Sequence, residues 1–179
     1  MKLNLACGCS VLDGFVNVDA NPARGVDEVV DLTKPFPWAA NSSSYIFCSH
    51  FIEHLSQKEG VDFLLQCSKV LSSEGYMDIW TPDFDILVDL YIKSPDKLAK
   101  VPFFYQSNHS IIDFINWRIF GNVEGEEGMN HKYLYCAQNL TDMALKCGFS
   151  SLTQLNVEEH FLLEKYRHKG IQMGWRLYK

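Results

Sequence analysis

The chain has 179 residues, 47% of them hydrophobic, which suffices for one well-formed core and is too short for two full domains. A net charge of −6 with no cluster of Lys or Arg lacks the concentrated positive patch on which attraction to a phosphate backbone rests, so nucleic acid is not an expected partner. No apolar run approaches the roughly 18 residues of a membrane span, the six cysteines read as reduced and mostly buried thiols, and a cytoplasmic location without membrane partners is expected.

In chain order, short β-rich runs alternate with longer amphipathic segments, the pattern of parallel strands joined by crossovers. Strands are predicted at residues 3–6, 15–19, 26–31, 45–49 and 76–81. The runs Leu3-Asn4-Leu5-Ala6 and Tyr45-Ile46-Phe47-Cys48 are short and largely apolar, as strands covered on both faces are, and form the expected sheet centre. Ser56-Gln57-Lys58-Glu59 makes a capping box, and Val61, Leu64, Leu65, Ser68 and Leu71 then repeat on one helical face. This helix is expected to end near Ser72, with Gly75 opening the turn into the next strand. A second helix is predicted from near Asp83 through Leu90 and Tyr91, and Ser94-Pro95 reads as an N-cap followed by proline at the first helical position.

Aromatic residues (Phe103, Phe104, Tyr105, Phe114, Trp117 and Phe120) crowd the next segment, where they serve as core packing or as a lid over a ligand crevice. The acidic, glycine-containing run at 123–128 reads as a surface loop. A last helix at 138–147 stops before Gly148, and strands at 152–157 and 175–178 complete a single domain over 1–179.

The residues suited to ligand chemistry sit at strand ends. The first strand runs into Ala6-Cys7-Gly8-Cys9-Ser10, small residues that let backbone approach a ligand closely. The second ends in Asp19, a carboxylate able to accept hydrogen bonds from both hydroxyls of a ribose. The third ends in Asp31-Leu32, a polar and an apolar contact for a purine. Open α/β sheets bind ligands outside the carboxyl ends of their strands, so these positions are expected to line one crevice.

These segments, in this order, resemble the class I S-adenosylmethionine-dependent methyltransferases, particularly small bacterial ones. The match spans roughly the first half of the chain and includes Leu3-Asn4-Leu5-Ala6-Cys7-Gly8, Val16-Asn17-Val18-Asp19, Asp31-Leu32, Pro35-Phe36-Pro37, Ser49-His50-Phe51-Ile52-Glu53-His54-Leu55 and Val70-Leu71-Ser72-Ser73-Glu74-Gly75. Asn130-His131-Lys132-Tyr133 and Cys147-Gly148-Phe149 are similar to the family's segment after its substrate insertion, which here falls at about 94–135. The resemblance implies a three-layer Rossmann-like fold, a mostly parallel sheet with helices on both faces. It implies S-adenosylmethionine as cofactor, held by Ala6, Cys7, Gly8, Asp19, Asp31, Leu32, Ser49 and His50. His50 and His131 are the implied proton acceptors, since imidazole titrates near neutral pH. Glu53, His54, Asp83 and Tyr133 are the expected contacts to a small-molecule or saccharide acceptor, and no metal is expected. The stretch between Gly8 and Asp19 is too short for the family's usual helix, so the first crossover is expected to be an extended loop.

Other readings compete. His50-Phe51-Ile52-Glu53-His54 satisfies the H-x-x-E-H pattern of a class of zinc peptidases, which requires the pentapeptide to lie within a helix, whereas here it follows a buried-type strand. A dinucleotide-binding oxidoreductase requires a G-x-G-x-x-G turn that Cys9-Ser10-Val11-Leu12-Asp13 does not supply. A catalytically silent module that binds the cofactor or uses the fold for interaction is separated from an enzyme only by cofactor binding and turnover.

Overall fold

The structure, a computed structural model, describes residues 1–98, 111–120, 130–156 and 171–179. The elements are β1 (Lys2–Leu5), β2 (Val16–Asp19), β3 (Glu28–Val29), β4 (Ser43–Ser49), a 3-10 turn (Ile52–His54), α1 (Gln57–Val70), β5 (Leu71–Pro82), α2 (Phe84–Lys93), α3 (Pro95–Leu98), α4 (Ile111–Phe120), α5 (Ala137–Lys146), β6 (Ser151–Leu155) and β7 (Gln172–Tyr178). The strands form one seven-stranded sheet in the order β3-β2-β1-β4-β5-β7-β6. Strands β1 to β5 pair in parallel and β7 alone runs against its neighbours, the mostly parallel Rossmann-like sheet that the sequence implied. Strand order reverses between β1 and β4, the kind of switch point at whose carboxyl ends open α/β sheets form a ligand crevice.

Alternation along the strands sorts the residues onto two faces. Leu3, Leu5, Ile46, Cys48, Met77 and Ile79 share a core with Phe63, Leu64 and Cys67 of α1 and with Leu140, Met143 and Ala144 of α5. Each fully buried Leu, Ile, Met or Phe among them contributes about 1.5–3 kcal/mol, so this face, the largest buried cluster among the described residues, supplies most of the apolar driving force. Helix α1 begins as its sequence specifies: the Ser56 hydroxyl accepts from Glu59 N (3.4 Å), and Glu59 Oε2 accepts from Ser56 N (2.8 Å).

The opposite face carries Tyr45, Phe47 and Trp80, over which Leu12 and Phe15 of the first crossover pack. It is also polar in places. Asp78, fully buried, accepts two hydrogen bonds from the Arg176 guanidinium (2.7 and 2.8 Å) and one from the Tyr45 hydroxyl (2.8 Å). Beside it Gly174 lies flat against Trp80, where any Cβ would overlap the indole ring.

No helix occupies the connections at 6–15, 20–27 and 30–42, in keeping with the loop expected between β1 and β2. Two boundaries differ most from expectation. Gly75 does not open a turn but lies inside β5, which starts directly after α1 because Leu71, with no exposure, pairs across to Ser43. The third strand is only two residues long, since its other predicted positions alternate between exposed and half-buried at the sheet edge. The expectations for Phe103, Phe104 and Tyr105, for the side chains of Phe114 and Trp117, and for the loop at 123–128 fall outside the described residues. Phe120 is 62% exposed and so is not core. Among the described residues, all six cysteines are unpaired and no helix is long and apolar enough to cross a membrane.

Candidate active-site crevice

Strain marks the crevice. Of three non-glycine residues with left-handed backbone among the described residues, two stand at its mouth: Ala6 (φ 53°) just past β1 and His50 (φ 54°) just past β4. Such conformations cost L-residues about 1–2 kcal/mol and persist where surrounding contacts over-determine them, most often at functional sites. Gly8 is also left-handed (φ +50°), and nothing lies within 4 Å of where its Cβ would stand, so main chain here faces open space. The Asp19 carboxylate, half-buried at the end of β2, accepts from Gly8 N (2.9 Å) and from Asn21 N (2.9 Å). It thereby fixes the loop after β1 while keeping lone pairs for further donors.

Asn17 anchors the helix-free crossover. Its side-chain oxygen accepts from Leu12 N and from Asn4 Nδ2 (both 2.8 Å), and its Nδ2 donates to Leu12 O, Phe15 O and Asp27 Oδ2. Asn4 also donates to Ser10 O (2.9 Å). Both asparagines are buried in short strands, a polar interruption whose meaning sequence alone did not disclose.

Of the expected cofactor residues, Ala6, Gly8 and Asp19 come together at the crevice, with Ser49 and His50 at the adjoining end of β4. The Ser49 hydroxyl is buried with no partner among the described residues. Cys7 and Leu32 are both buried in the protein, with burial pushing the Cys7 thiol up to about 11. Asp31 is exposed, and hydrogen bonds from the Thr33 side chain and main chain hold its carboxyl below the usual range.

A second cluster lies beyond β4 and β5. His50 Nδ1 meets Glu53 Oε1 (3.1 Å) and His50 Nε2 meets Gln172 Oε1 (2.7 Å). Two arrangements satisfy this geometry. The ring is an imidazolium donating to both oxygens, or it is neutral and the Gln172 amide turns so that its Nε2, which has no partner as placed among the described residues, donates instead. Either way both ring nitrogens of His50, one of the two proton acceptors that the sequence suggested, are engaged within the protein. Glu53, 2% exposed, also accepts from Thr81 Oγ1 (3.2 Å). Burial pushes its carboxyl up, but the hydrogen bond from His50 and the charges of His50 and His54 together hold it below the usual range.

The main-chain oxygen of Glu53 accepts from Lys132 N (2.7 Å) and Tyr133 N (3.3 Å), which brings the segment carrying His131 against the 3-10 turn. Glu53, Asp83, His131 and Tyr133 consequently line one cavity, with Leu87 and Ile171 as apolar wall. His54 stands beside it, its ring edge-to-face with His131 at 4.9 Å between centroids. Asp83 caps α2, accepting from Asp85 N (2.9 Å) and Ile86 N (3.3 Å), and burial raises its carboxyl. The peptidase reading fails on conformation: His50 is left-handed, only residues 52–54 form a single 3-10 turn, and His50 bonds to Glu53 itself. Gln172 and Thr81, which complete this cluster, carry no sequence signal that would have singled them out.

No protein-family model matches the chain, and no curated protein matches it in sequence. Its shape is similar to that of solved S-adenosylmethionine-dependent methyltransferases. One from Archaeoglobus fulgidus is 15% identical, with a TM-score of 0.59 over 99% of this chain and 85% of that one. One from Thermotoga maritima is 15% identical, with a TM-score of 0.57 over 98% of this chain and 80% of that one. A third, from Mesorhizobium loti, is 11% identical, with a TM-score of 0.51 over 99% and 90% of the two chains. At such identities the likeness concerns architecture, and the chain has the fold of the class I S-adenosylmethionine-dependent methyltransferases.

Proposed function

We propose that the protein is an S-adenosylmethionine-dependent methyltransferase acting on a small-molecule or saccharide acceptor. The observation that supports this best is the hydrogen bond from Gly8 N to Asp19 at the adjoining ends of β1 and β2 (2.9 Å), beside main chain that faces open space. Asp19 has acceptor capacity left for the ribose hydroxyls, and the main chain of Ala6 to Gly8 can approach the ligand without steric cost. Ser49 supplies a buried hydroxyl in need of a partner. When bound, the cofactor supplies an electrophilic methyl group on a sulfonium.

The remaining work is orientation and proton removal. His50 holds Glu53 and, through Gln172, ties the end of β4 to β7. His131 and Tyr133 line the cavity beyond β4 and β5, which supports reading it as the acceptor side. The net negative charge of the chain favours a neutral or cationic acceptor over a polyanion.

Calorimetric titration with S-adenosylmethionine tests the reading. The wild type is expected to bind saturably, and Asp19→Asn, which loses the charge and keeps only one of the two oxygens that accept from Gly8 N and Asn21 N, is expected to bind about ten- to a hundred-fold more weakly while circular dichroism shows it still folded. Equal affinity in the variant removes the ribose assignment, and no binding by the wild type at millimolar ligand removes the reading.

A further inference from the structure

We propose that Glu53, His54 and His131 form a binding site for a first-row divalent cation at the edge of the acceptor cavity. One donor atom from each of the three lies within 4.8 Å of the others. Bound to Zn²⁺, such nitrogen and oxygen donors stand about 2.0–2.2 Å from the ion, which brings neighbouring donors closer than that limit. Closing the difference requires rotation of the His54 and His131 rings, both half-buried.

The surroundings prepare each ligand. His54 Nδ1 faces Asn130 O (3.4 Å), an acceptor that favours a proton on Nδ1 and leaves Nε2 with a lone pair for a metal. Thr81 and His50 each hold one oxygen of the Glu53 carboxylate, and each oxygen retains a further lone pair. Main-chain bonds from Lys132 and Tyr133 to Glu53 O fix the two ligand-bearing segments together. Distant parts of the chain are therefore locked into one arrangement around the site.

Two imidazoles and a carboxylate suit Zn²⁺, Mn²⁺, Fe²⁺ or Co²⁺ better than Mg²⁺ or Ca²⁺, which prefer all-oxygen surroundings. Three protein ligands also leave coordination positions open. Because Glu53 and His131 line the cavity assigned above to the acceptor, the open side would orient an oxygen-bearing acceptor, a hydroxyl or carboxylate group; this last step rests on the methyl-transfer reading, and the metal site does not.

The test is titration of dialysed protein with Co²⁺, read by its visible absorption, with S-adenosylmethionine titrated in parallel. The wild type is expected to bind one equivalent with weak bands of nitrogen and oxygen coordination. Loss of a ligand in His54→Ala or His131→Ala is expected to weaken binding more than about a hundred-fold, beyond the effect of an outer-shell change. Cys9→Ser, which removes the exposed thiol, should bind as the wild type does. No binding at millimolar Co²⁺, binding that survives loss of either histidine, or intense thiolate bands each overturns the metal site. Metal binding without cofactor binding leaves the site standing and removes the methyltransferase reading; cofactor binding without metal does the reverse.

Discussion

On one side of the β1/β4 boundary, β4 and β5 are joined by a fourteen-residue capped helix whose apolar face is buried against the sheet. On the other, β1, β2 and β3 are joined by loops without a helix, and the first of these is held by the amide side chains of Asn4 and Asn17. The two halves keep their strand ends in place by different means, area removed from water in one and directional hydrogen bonds in the other. The difference bears on function, because the helix-free half presents the loop proposed to meet the cofactor. Apolar packing is spread over many contacts, whereas a hydrogen-bonded loop depends on a few groups and can open locally without global unfolding.

The largest effect should come from the helical half. Phe63, 1% exposed, packs edge-on against Phe51 (5.2 Å between ring centroids) and Phe36 (6.0 Å). Phe63→Ala is expected to cost about 3–5 kcal/mol through lost burial and the cavity left behind. At roughly 2–4 °C per kcal/mol for a domain of this size, thermal unfolding should shift by on the order of 10 °C as one cooperative transition. A loss below about 1 kcal/mol would mean that apolar packing does not dominate that half.

Asn17→Ala should cost less and act locally. It strands Leu12 N and part of the Asn4 amide without their acceptor, for about 1–3 kcal/mol. Hydrogen exchange should quicken at residues 8–15 while α1 keeps its protection, and cofactor affinity should fall. Uniform loss of protection across both halves would erase the contrast between them.

The same contrast governs what was legible in the sequence. Helix α1 was readable because its Ser56 and Glu59 cap and its apolar spacing are local signals, and Leu3 to Leu5 and Tyr45 to Cys48 declared themselves as central strands through apolar content. Asp19 was readable because its place at a strand end follows from strand spacing alone. By contrast, the ties from Asn17 to Leu12, from His50 to Gln172 and from Glu53 to Lys132 and Thr81 depend on side chains and main chain meeting across the fold. No periodicity encodes those meetings. Leu32 shows the converse case: the sequence offered it with Asp31 as a strand-end contact, and its burial in the core, where an apolar side chain gains most, carried no local signal of its own.

The smallest change probes the strained loop directly. Ala6 holds φ 53°, a conformation that a Cβ penalises and glycine adopts freely. Ala6→Gly therefore relieves strain in the folded state but gives the unfolded chain more freedom to lose, and the two effects oppose one another. Relief of about 1–2 kcal/mol against an entropy cost of about 0.4–1 kcal/mol predicts a net gain between about zero and about 1.6 kcal/mol, lowered by whatever the Ala6 methyl contributes where it packs against the core, measured by urea unfolding. Cofactor affinity should hold or improve, since the loop keeps its bond to Asp19 and gains room at the crevice mouth. If the variant is instead destabilised while binding is lost, Ala6 packs its methyl group where the loop needs it, and the left-handed turn after β1 is maintained by that contact rather than by the hydrogen bonds of Asp19 and Asn17.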